Sequence, residues 1–373
     1  MRRLAPKTAS PAVSSGTLQH SSSFLGHLRA STRSSEAPLR GAKVANRPVL
    51  KRRFPKRHPS DLVSIEPLYA TNLGAAYAGD ASDLLKLLPS RSVNAIITSP
   101  PYALHFKKSY GNPNPEAYID WFLSFASEFR RVLRPQGSLV IEIGGAWNPG
   151  VPTRSIYHFE LLVRLVKDAG FHLAEEFFWF NRARMPSPTE WVNVRRIRVK
   201  DAVTPIWWLS PSERPSASNR RVLKPYSKEM VRLLKSGYNH GKRPSGHVAK
   251  KFERDNGGAI PPNLIEVAHT TSTDGYQAYC RERQIVAHPA RFPKQVPDFF
   301  VKFLTRKGGL ILDPFSGSNM TGYVAEKLGR RWLAFDQEPA YVQGSLGRFL
   351  GDETLAKSVM PDRGLLAAGH CCH

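Results

Sequence analysis

A short apolar run that ends in two consecutive prolines constrains this chain more than any other stretch. Residues 93–97 are apolar apart from one asparagine, which predicts a short buried strand. Residues 98–102, Thr-Ser-Pro-Pro-Tyr, end the strand abruptly, because proline lacks an N–H and fixes φ. Ligands of open α/β sheets bind at the carboxyl ends of strands. The stretch is therefore either a plain strand-ending turn or a binding site for a flat, amine-bearing ring. Rigid carbonyls, a hydroxyl and an aromatic face would form that site.

Strand-like and helix-like patterns alternate along most of the chain, which favours a mostly parallel, doubly wound α/β sheet. The predicted strands are apolar and rich in β-branched residues, whereas the predicted helices repeat apolar positions every three to four residues. We expect strands at 75–79, 93–98, 138–143, 171–180, 203–209, 310–312 and 331–335. We expect helices at 83–88, 116–133, 156–169, 297–304 and 321–328.

The composition disfavours several classes of protein. The 373 residues are 41% hydrophobic, enough for a substantial core, and the net charge of +24 favours a polyanionic partner. The three cysteines, Cys280, Cys371 and Cys372, lack metal-ligand spacing, so we expect a reducing compartment, no disulfide framework and no metal site. No uninterrupted apolar run is long enough to span a bilayer, so no membrane partner is expected.

Two stretches depart from the alternating pattern. Residues 1–66 are rich in Ser, Arg, Pro and Ala, and the first 60 carry 13 Lys or Arg against a single acid. This segment is predicted to be disordered, as an inert tail or upstream extension, a DNA-binding arm or an organelle transit peptide.

Residues 181–273 are basic and loop-rich with interleaved aromatics. They suit contacts to phosphates and base edges, or else form a solvated irregular subdomain.

A second constellation follows a buried strand in the last third of the chain. Residues 313–319, Asp-Pro-Phe-Ser-Gly-Ser-Asn, join that strand to a helix, and Asp336 ends the next strand, 23 residues after Asp313. Small residues let the backbone approach a ligand, the helix N-terminus offers N–H donors, and an acid near this spacing meets ribose hydroxyls. The chain has no Gly-Lys-Ser/Thr phosphate loop and no full G-x-G-x-x-G motif. The layout fits S-adenosylmethionine, which has a ribose, a cationic centre and no phosphate, or an ordinary strand–helix turn.

Together the two constellations resemble the amino-methylating DNA methyltransferases. In that superfamily Ser-Pro-Pro-Tyr or Asp-Pro-Pro-Tyr is the catalytic motif, and a DPFxGSG-like loop is the cofactor motif. The order of catalytic motif, basic segment and cofactor motif matches the β group, and the sequence is similar above all to its PvuII-type cytosine-N4-specific members. The resemblance covers roughly residues 72–350. The similar stretches are 98–102, 107–112, 150–157, 186–201, 243–247, 255–264, 288–293 and 316–319.

The resemblance implies a Rossmann-like, S-adenosylmethionine-dependent methyltransferase fold with a loop-rich target-recognition insertion. The implied parts are a basic N-terminal extension (1–66), a catalytic half (67–180), a target-recognition region (181–273), a cofactor-binding half (274–350) and a tail (351–373). Catalysis is assigned to Ser99, Pro100, Pro101 and Tyr102. Cofactor binding is assigned to Asp80, His288, Pro289, Asp313, Pro314, Phe315, Ser316, Gly317, Ser318, Asn319 and Asp336. DNA binding is assigned to Lys107, Lys108, Arg195, Arg196, Arg198, Lys242, Arg243 and His247.

The implied activity is transfer of a methyl group from S-adenosylmethionine to the N4 amine of a flipped cytosine in a short double-stranded site, with CAGCTG a candidate. Ser99, in place of an aspartate, favours cytosine over adenine. Two alternatives stay open: an adenine-N6 enzyme on the same scaffold, and a protein of another class, either a catalytically idle basic DNA-binding protein or an RNA or protein methylase. We expect a monomer associated with DNA in a bacterial-type cytoplasm, with or without a cognate restriction endonuclease.

Overall fold

The computed structural model describes residues 57–104, 115–236, 254–268 and 274–360, and these form a nine-stranded sheet with helices on both faces. The strands are β1 (Tyr69–Ala70), β2 (Gly74–Ala78), β3 (Val93–Thr98), β4 (Leu133–Glu142), β5 (His172–Phe180), β6 (Val203–Ser210), β7 (Leu264–Glu266), β8 (Leu310–Asp313) and β9 (Arg331–Asp336). The helices are α1 (Ala81–Leu87), α2 (Tyr118–Val132), α3 (Tyr157–Lys167), α4 (Lys228–Ser236), α5 (Gly275–Glu282), α6 (Gln295–Leu304), α7 (Met320–Lys327), α8 (Pro339–Ser345) and α9 (Gly347–Leu350).

The sheet has the order β1-β2-β9-β8-β3-β4-β6-β5-β7. The five central strands β2, β9, β8, β3 and β4 are parallel to one another, whereas β6 runs antiparallel to both of its neighbours. This confirms the predicted mostly parallel, doubly wound α/β fold. Two reversals, from β4 to β6 and from β6 to β5, leave β5 pointing in the same direction as β4. The carboxyl end of β5 therefore lies at the same edge of the sheet as those of the central strands.

The continuous apolar run of β3 is explained by burial on both faces. Ile96 belongs to a core that also contains Phe122 and Phe129 of α2. Its neighbour Ile97 belongs to a second core, on the other face, with Phe300 of α6. Side chains alternate across a strand, so a strand covered on both sides needs apolar residues at successive positions.

The central position of β3 brings together two parts of the sequence that are more than 200 residues apart. Ala95 pairs with Ile311 and Ile96 with Leu312, so β3 and β8 are direct parallel neighbours. Both strands therefore end at the same edge, where the chain continues into the Ser-Pro-Pro-Tyr and Asp-Pro-Phe stretches. The topology thus places the two predicted motifs side by side.

The folded part is longer at both ends than the sequence predicts. A 3₁₀ turn covers Pro59–Leu62, and Val63 is buried, so the predicted extension 1–66 is wrong for its last residues; residues 1–56 lie outside those described. The predicted tail is likewise ordered up to residue 360, because Thr71 and Val359 form a bridge and Met360 N donates to Ala70 O. Isolated buried side chains and single bridges leave no periodic pattern in a sequence, so the boundaries were missed.

The predicted target-recognition region is not one continuous insertion. Its strand β6 is hydrogen-bonded between β4 and β5, and β7 extends the sheet beyond β5. The predicted bounds, 181 and 273, rest on a basic composition rich in loop-forming residues. That composition marks the loops on either side of β6 but not β6 itself. The described segments of this region outside the sheet are 181–202, 211–236, 254–263 and 267–268.

Across the residues described, no helix combines the length and the apolar composition that crossing a membrane would require.

Gly74 of β2 offers a test of how tightly the sheet and its helices pack. A Cβ at Gly74 would lie 2.2 Å from the indole of Trp332, which is fully buried and stacks on Phe349. The indole has no room to move, so we expect Gly74→Ala to lower the free energy of unfolding by about 3 kcal/mol. Urea denaturation followed by fluorescence measures the loss.

Gly150→Ala is the matched control for that measurement. Gly150 has a φ of +71°, and no atom lies within 4 Å of an added Cβ, so the substitution introduces backbone strain without a clash. We expect it to cost about 1 kcal/mol. A loss at Gly74 no larger than the loss at Gly150 would contradict the packing described for Trp332.

Candidate active site

A cavity of about 340 Å³ lies at the carboxyl ends of the parallel strands. Residues from both predicted motifs line it, although the motifs are more than 200 positions apart. The predicted residues in its wall are Asp80, Ser99, Pro100, Pro101, Tyr102, His288, Pro289, Asp313, Pro314, Phe315, Ser316, Gly317, Ser318 and Asp336. The structure therefore brings the four catalytic candidates and all but one of the cofactor candidates into one cavity wall.

A buried hydrogen bond joins the two motifs at their first residues. Thr98 Oγ1 donates to Asp313 Oδ1 over 2.7 Å, and both residues are buried. The amide of Phe315 donates to the same carboxylate oxygen over 3.3 Å. Burial raises the pKa of Asp313 to about 6, because a carboxylate loses its hydration there. The end of β3 and the turn after β8 are thus held together by one acid.

A second buried acid, Glu142, fixes the Ser-Pro-Pro-Tyr stretch. It ends β4, the other neighbour of β3, and only 2% of its surface is exposed. Ser99 Oγ donates to Glu142 Oε2 over 2.5 Å, and the Tyr102 hydroxyl donates to Oε1 over 2.6 Å. Burial raises the pKa of Glu142, while these two hydrogen bonds act in the opposite direction. Each carboxylate oxygen therefore receives one hydroxyl, and Ser99 Oγ keeps its lone pairs for another partner.

The loop after β8 takes its shape from Gly317 and Asp336. Gly317 has a φ of +49°, and its N–H donates to Asp336 Oδ2 over 2.7 Å. A Cβ at this position would make a tight contact of 3.1 Å with the ring of His288, so glycine suits both the positive φ and the close approach of the ring. Asp336 also accepts from the amide of Glu338 over 3.0 Å, and burial raises its pKa. The loop, the end of β9 and the His288 segment thus form one wall.

Arg348 of α9 connects the loop after β8 to the segment 274–289. Its guanidinium donates to Ser318 O over 2.5 Å, to Ser318 Oγ over 2.8 Å and to Asp274 Oδ2 over 3.0 Å. Asp274 also caps α5 through the amide of Gln277 over 3.1 Å. From α5, the hydroxyl of Tyr276 accepts the N–H of His288 over 2.6 Å. The two sides of the predicted cofactor pocket are therefore tied by a buried cation.

Asn319 is the one predicted cofactor residue that does not line the cavity. It is fully buried with a φ of +50° and begins α7 as its N-cap. Its Oδ1 accepts from Gly322 N over 3.0 Å, and its Nδ2 donates to the Tyr69 hydroxyl over 2.9 Å. Asparagine is a preferred N-cap, and here its side chain is engaged by the helix and by Tyr69. Its role in cofactor binding stays a prediction.

The predicted DNA-binding residues that the structure describes lie on an exposed segment outside the cavity wall. Arg195 pairs with Glu190 over 2.7 Å and lies over the Trp191 ring. Arg198 donates to Pro152 O over 2.8 Å, and Arg196 has a φ of +56°. Arg195 and Arg198 thus already have protein partners. The others, Lys107, Lys108, Lys242, Arg243 and His247, lie outside the described residues.

Residues 93–346 match the DNA methylase family, which is more than half of the chain. The chain belongs to this family. Type II methyltransferase M.PvuII of Proteus hauseri is 47% identical over 301 residues, which are 80% of this chain and 89% of the relative. Type II methyltransferase M.BamHI of Bacillus amyloliquefaciens is 24% identical over 283 residues, 74% of this chain and 57% of that protein.

A solved structure agrees with the fold of this methylase. The PvuII DNA methyltransferase, titled cytosine-N4-specific, superposes with a TM-score of 0.64 and 42% identity, over 78% of this chain and 91% of that one. Together with the sequence matches, this confirms the resemblance to amino-methylating DNA methyltransferases and the fold that it implies.

Several residues in the methylase's cavity wall were missed from the sequence. They are Ala81, Trp121, Phe125, Glu142, Trp179, Asn181, Arg184, Thr204, Met320 and Gln337. Glu142 left a usable signal, since it is an acid at the end of an apolar run in a predicted strand. Asn181 and Arg184 directly follow β5, whose end reaches this edge only because of the double reversal through β6. That fact depends on strand order, which local patterns do not contain.

Asp313 should make the folded methylase less stable as the pH rises through the acid range. Its pKa is about 6 in the fold, against about 3.9 for an unfolded aspartate, so the folded state holds the proton more tightly. Stability from this group is greatest below about pH 4 and is lost as the pH rises through 6. Asparagine stays neutral at every pH. The free energy of unfolding of Asp313→Asn, relative to that of the wild type, should therefore rise by about 3 kcal/mol between pH 4 and pH 7.

Urea unfolding of both proteins at several pH values measures this difference. Asp120→Asn, at an exposed carboxyl in the first turn of α2, is the control and should follow the wild type closely. A constant difference between Asp313→Asn and the wild type over this pH range would show that Asp313 keeps an ordinary pKa.

Proposed function

We propose that this methylase transfers a methyl group from S-adenosylmethionine to the N4 amine of a cytosine flipped out of a short double-stranded DNA site. The observation that carries the proposal is the Ser99–Glu142 hydrogen bond in the same cavity as the loop from Asp313 to Ser318. The name of the PvuII enzyme supports cytosine N4 as the acceptor. CAGCTG is the recognition sequence that the resemblance suggests.

The chemistry of the cavity wall fits S-adenosylmethionine. Four acids line it, Asp80, Glu142, Asp313 and Asp336, which suits a ligand with cationic groups and ribose hydroxyls. The Phe315 ring lies against Phe125 and Trp121, with centroids 5.3 and 5.6 Å apart, and gives an apolar surface for a purine. When bound, the cofactor would supply a methyl group activated by a positively charged sulfur.

The residues of the Ser-Pro-Pro-Tyr stretch would hold the amine. The N4 nitrogen is a poor nucleophile because its lone pair is delocalised into the ring, and positive charge develops on it during transfer. Acceptors placed at its hydrogens stabilise that charge. We assign this role to Ser99 Oγ and to the Pro100 carbonyl, because the Pro101 carbonyl already accepts from the Tyr118 hydroxyl over 2.7 Å.

Glu142 would receive the proton that N4 must lose. Ser99 Oγ can accept a hydrogen from N4 while it passes its own hydrogen to Glu142 Oε2. Burial raises the pKa of Glu142, which makes its carboxylate a better proton acceptor than an exposed one. The Tyr102 ring would stack on the base, and its hydroxyl keeps Glu142 in place.

Product analysis tests the choice of base. Purified protein is incubated with S-adenosylmethionine and DNA, the DNA is digested to nucleosides, and these are separated by mass. We expect N4-methyldeoxycytidine, and sequencing of the methylated DNA then gives the site. A product that contains only N6-methyldeoxyadenosine would refute the proposal.

Ser99→Ala tests the assigned mechanism. Loss of the hydroxyl removes both an acceptor and the link to Glu142, so we expect the turnover number to fall by at least about 100-fold. The dissociation constant for S-adenosylmethionine should stay within about twofold, because the hydroxyl is not needed for that pocket. Ser124→Ala, on an exposed position of α2, serves as the control. Near-normal turnover of Ser99→Ala would remove the serine from the mechanism.

The net charge of +24 predicts strongly salt-dependent DNA binding. Lys and Arg that neutralise phosphates release counterions, so the logarithm of the binding constant should fall linearly with the logarithm of the salt concentration. Fluorescence anisotropy with a short labelled duplex measures this slope. Between 50 and 200 mM salt, a protein that makes six phosphate contacts loses about 10³-fold in its binding constant. A flat dependence would argue that the basic surface does not contact phosphates.

A further inference from the structure

Half of a cytosine's hydrogen-bonding edge has no assigned partner in the proposed function. The edge carries the N4 amine, a donor, and two acceptors, N3 and O2. Ser99 and Pro100 take the hydrogens of the amine but offer nothing to the acceptors. Enzymes that extrude a base read it through hydrogen bonds to its Watson–Crick edge, so a donor pair is required opposite N3 and O2.

Arg184 is a donor group in the wall that also contains Ser99, Tyr102 and Glu142. It lies in the turn after β5, closed by its own N–H donating to Asn181 O over 3.0 Å. Its Nη1 donates to Thr204 Oγ1 over 3.1 Å, and Thr204 is buried on β6, where it pairs with Trp179 of β5. The guanidinium is therefore anchored to the sheet at one nitrogen.

The rest of the guanidinium has capacity to bind a ligand. Among the described residues Arg184 forms no ion pair, and Nε and Nη2 have no hydrogen-bond acceptor. Its positive charge lowers the pKa of Glu142, but the two oxygens of that carboxylate already accept from Ser99 and Tyr102. A half-buried cation with unused donors in a small cavity is suited to a pair of neutral acceptors.

We propose that Arg184 selects cytosine by donating two N–H groups to N3 and O2 of the flipped base. The proposal rests on the proposed function. The planar fork of a guanidinium matches two adjacent acceptors, which an ammonium cannot do. Adenine offers one acceptor, N1, beside its amine and a C–H beyond it, so one of the two bonds would be lost. Thymine presents an N3–H donor to the guanidinium. Arg184 is thus a specificity residue, separate from the acceptors that act on the amine.

The test compares duplexes that carry cytosine or 3-deazacytosine, which lacks the N3 acceptor, at the methylated position. Intrinsic reactivity differs between the two bases, so the measured quantity is the ratio of their kcat/KM values in each protein. We expect Arg184→Ala to lower kcat/KM for cytosine by about 10- to 100-fold and to shift the ratio towards the analogue by a similar factor. Arg184→Lys should recover part of the activity without the discrimination.

Two further measurements separate base reading from other roles of Arg184. The dissociation constant for S-adenosylmethionine should stay within twofold of the wild type, which shows that the variant is folded. Binding to a duplex with an abasic target should also be unchanged, because no base is left to read. Arg182→Ala, an exposed arginine two positions earlier in the same turn, is the control and should keep the wild-type ratio.

Two outcomes would overturn the assignment. One is an unchanged cytosine-to-analogue ratio in Arg184→Ala. The other is a loss of affinity for the abasic duplex as large as the loss in kcat/KM, which would make Arg184 a phosphate contact. Failure of the proposed function is a different result, since the wild type would then make no N4-methylcytosine on the cytosine duplex.

Discussion

The site depends on one hydrogen bond between neighbouring strands, from Thr98 Oγ1 to Asp313 Oδ1. It is possible because β3 and β8 are parallel neighbours that end at the same level. Without that adjacency, the Ser-Pro-Pro-Tyr stretch and the Asp-Pro-Phe loop, to which we assign the amine and the methyl donor, would lie in separate loops. Orienting two reactants in one cavity can contribute several kcal/mol to a transfer reaction. The sheet order is therefore a catalytic feature as much as an architectural one.

Buried carboxylates at this edge set the electrostatic character of the cavity. Asp313, Glu142 and Asp336 all have pKa values raised mainly by burial, so each costs stability when it is ionised in the folded protein. A ligand with cationic groups offsets part of this cost when it binds, which couples binding to stability. The wall of the cavity thus favours a ligand of opposite charge.

The sequence predicts the parts of the site that are local, and it misses the parts that depend on long-range order. The β3 run, the loop after β8 and the acid ending β9 follow from apolar pattern and spacing alone. Glu142 enters the cavity because β4 is the parallel neighbour of β3. Arg184 enters it because the double reversal through β6 returns the end of β5 to the same edge. Asn319 was assigned by its place in a motif, although Asn at the start of a helix already favours a capping role.

The bridge between Thr71 and Val359 means that the first and last described strand segments meet beside β2. The two ends of the folded part are therefore neighbours in space. A circularly permuted chain, joined at this bridge and opened in the exposed segment 211–236, would keep every strand neighbour. It would present the Asp-Pro-Phe loop before the Ser-Pro-Pro-Tyr stretch and still form the same cavity. The cavity therefore depends on which strands are neighbours and not on the order in which the two motifs occur along the chain.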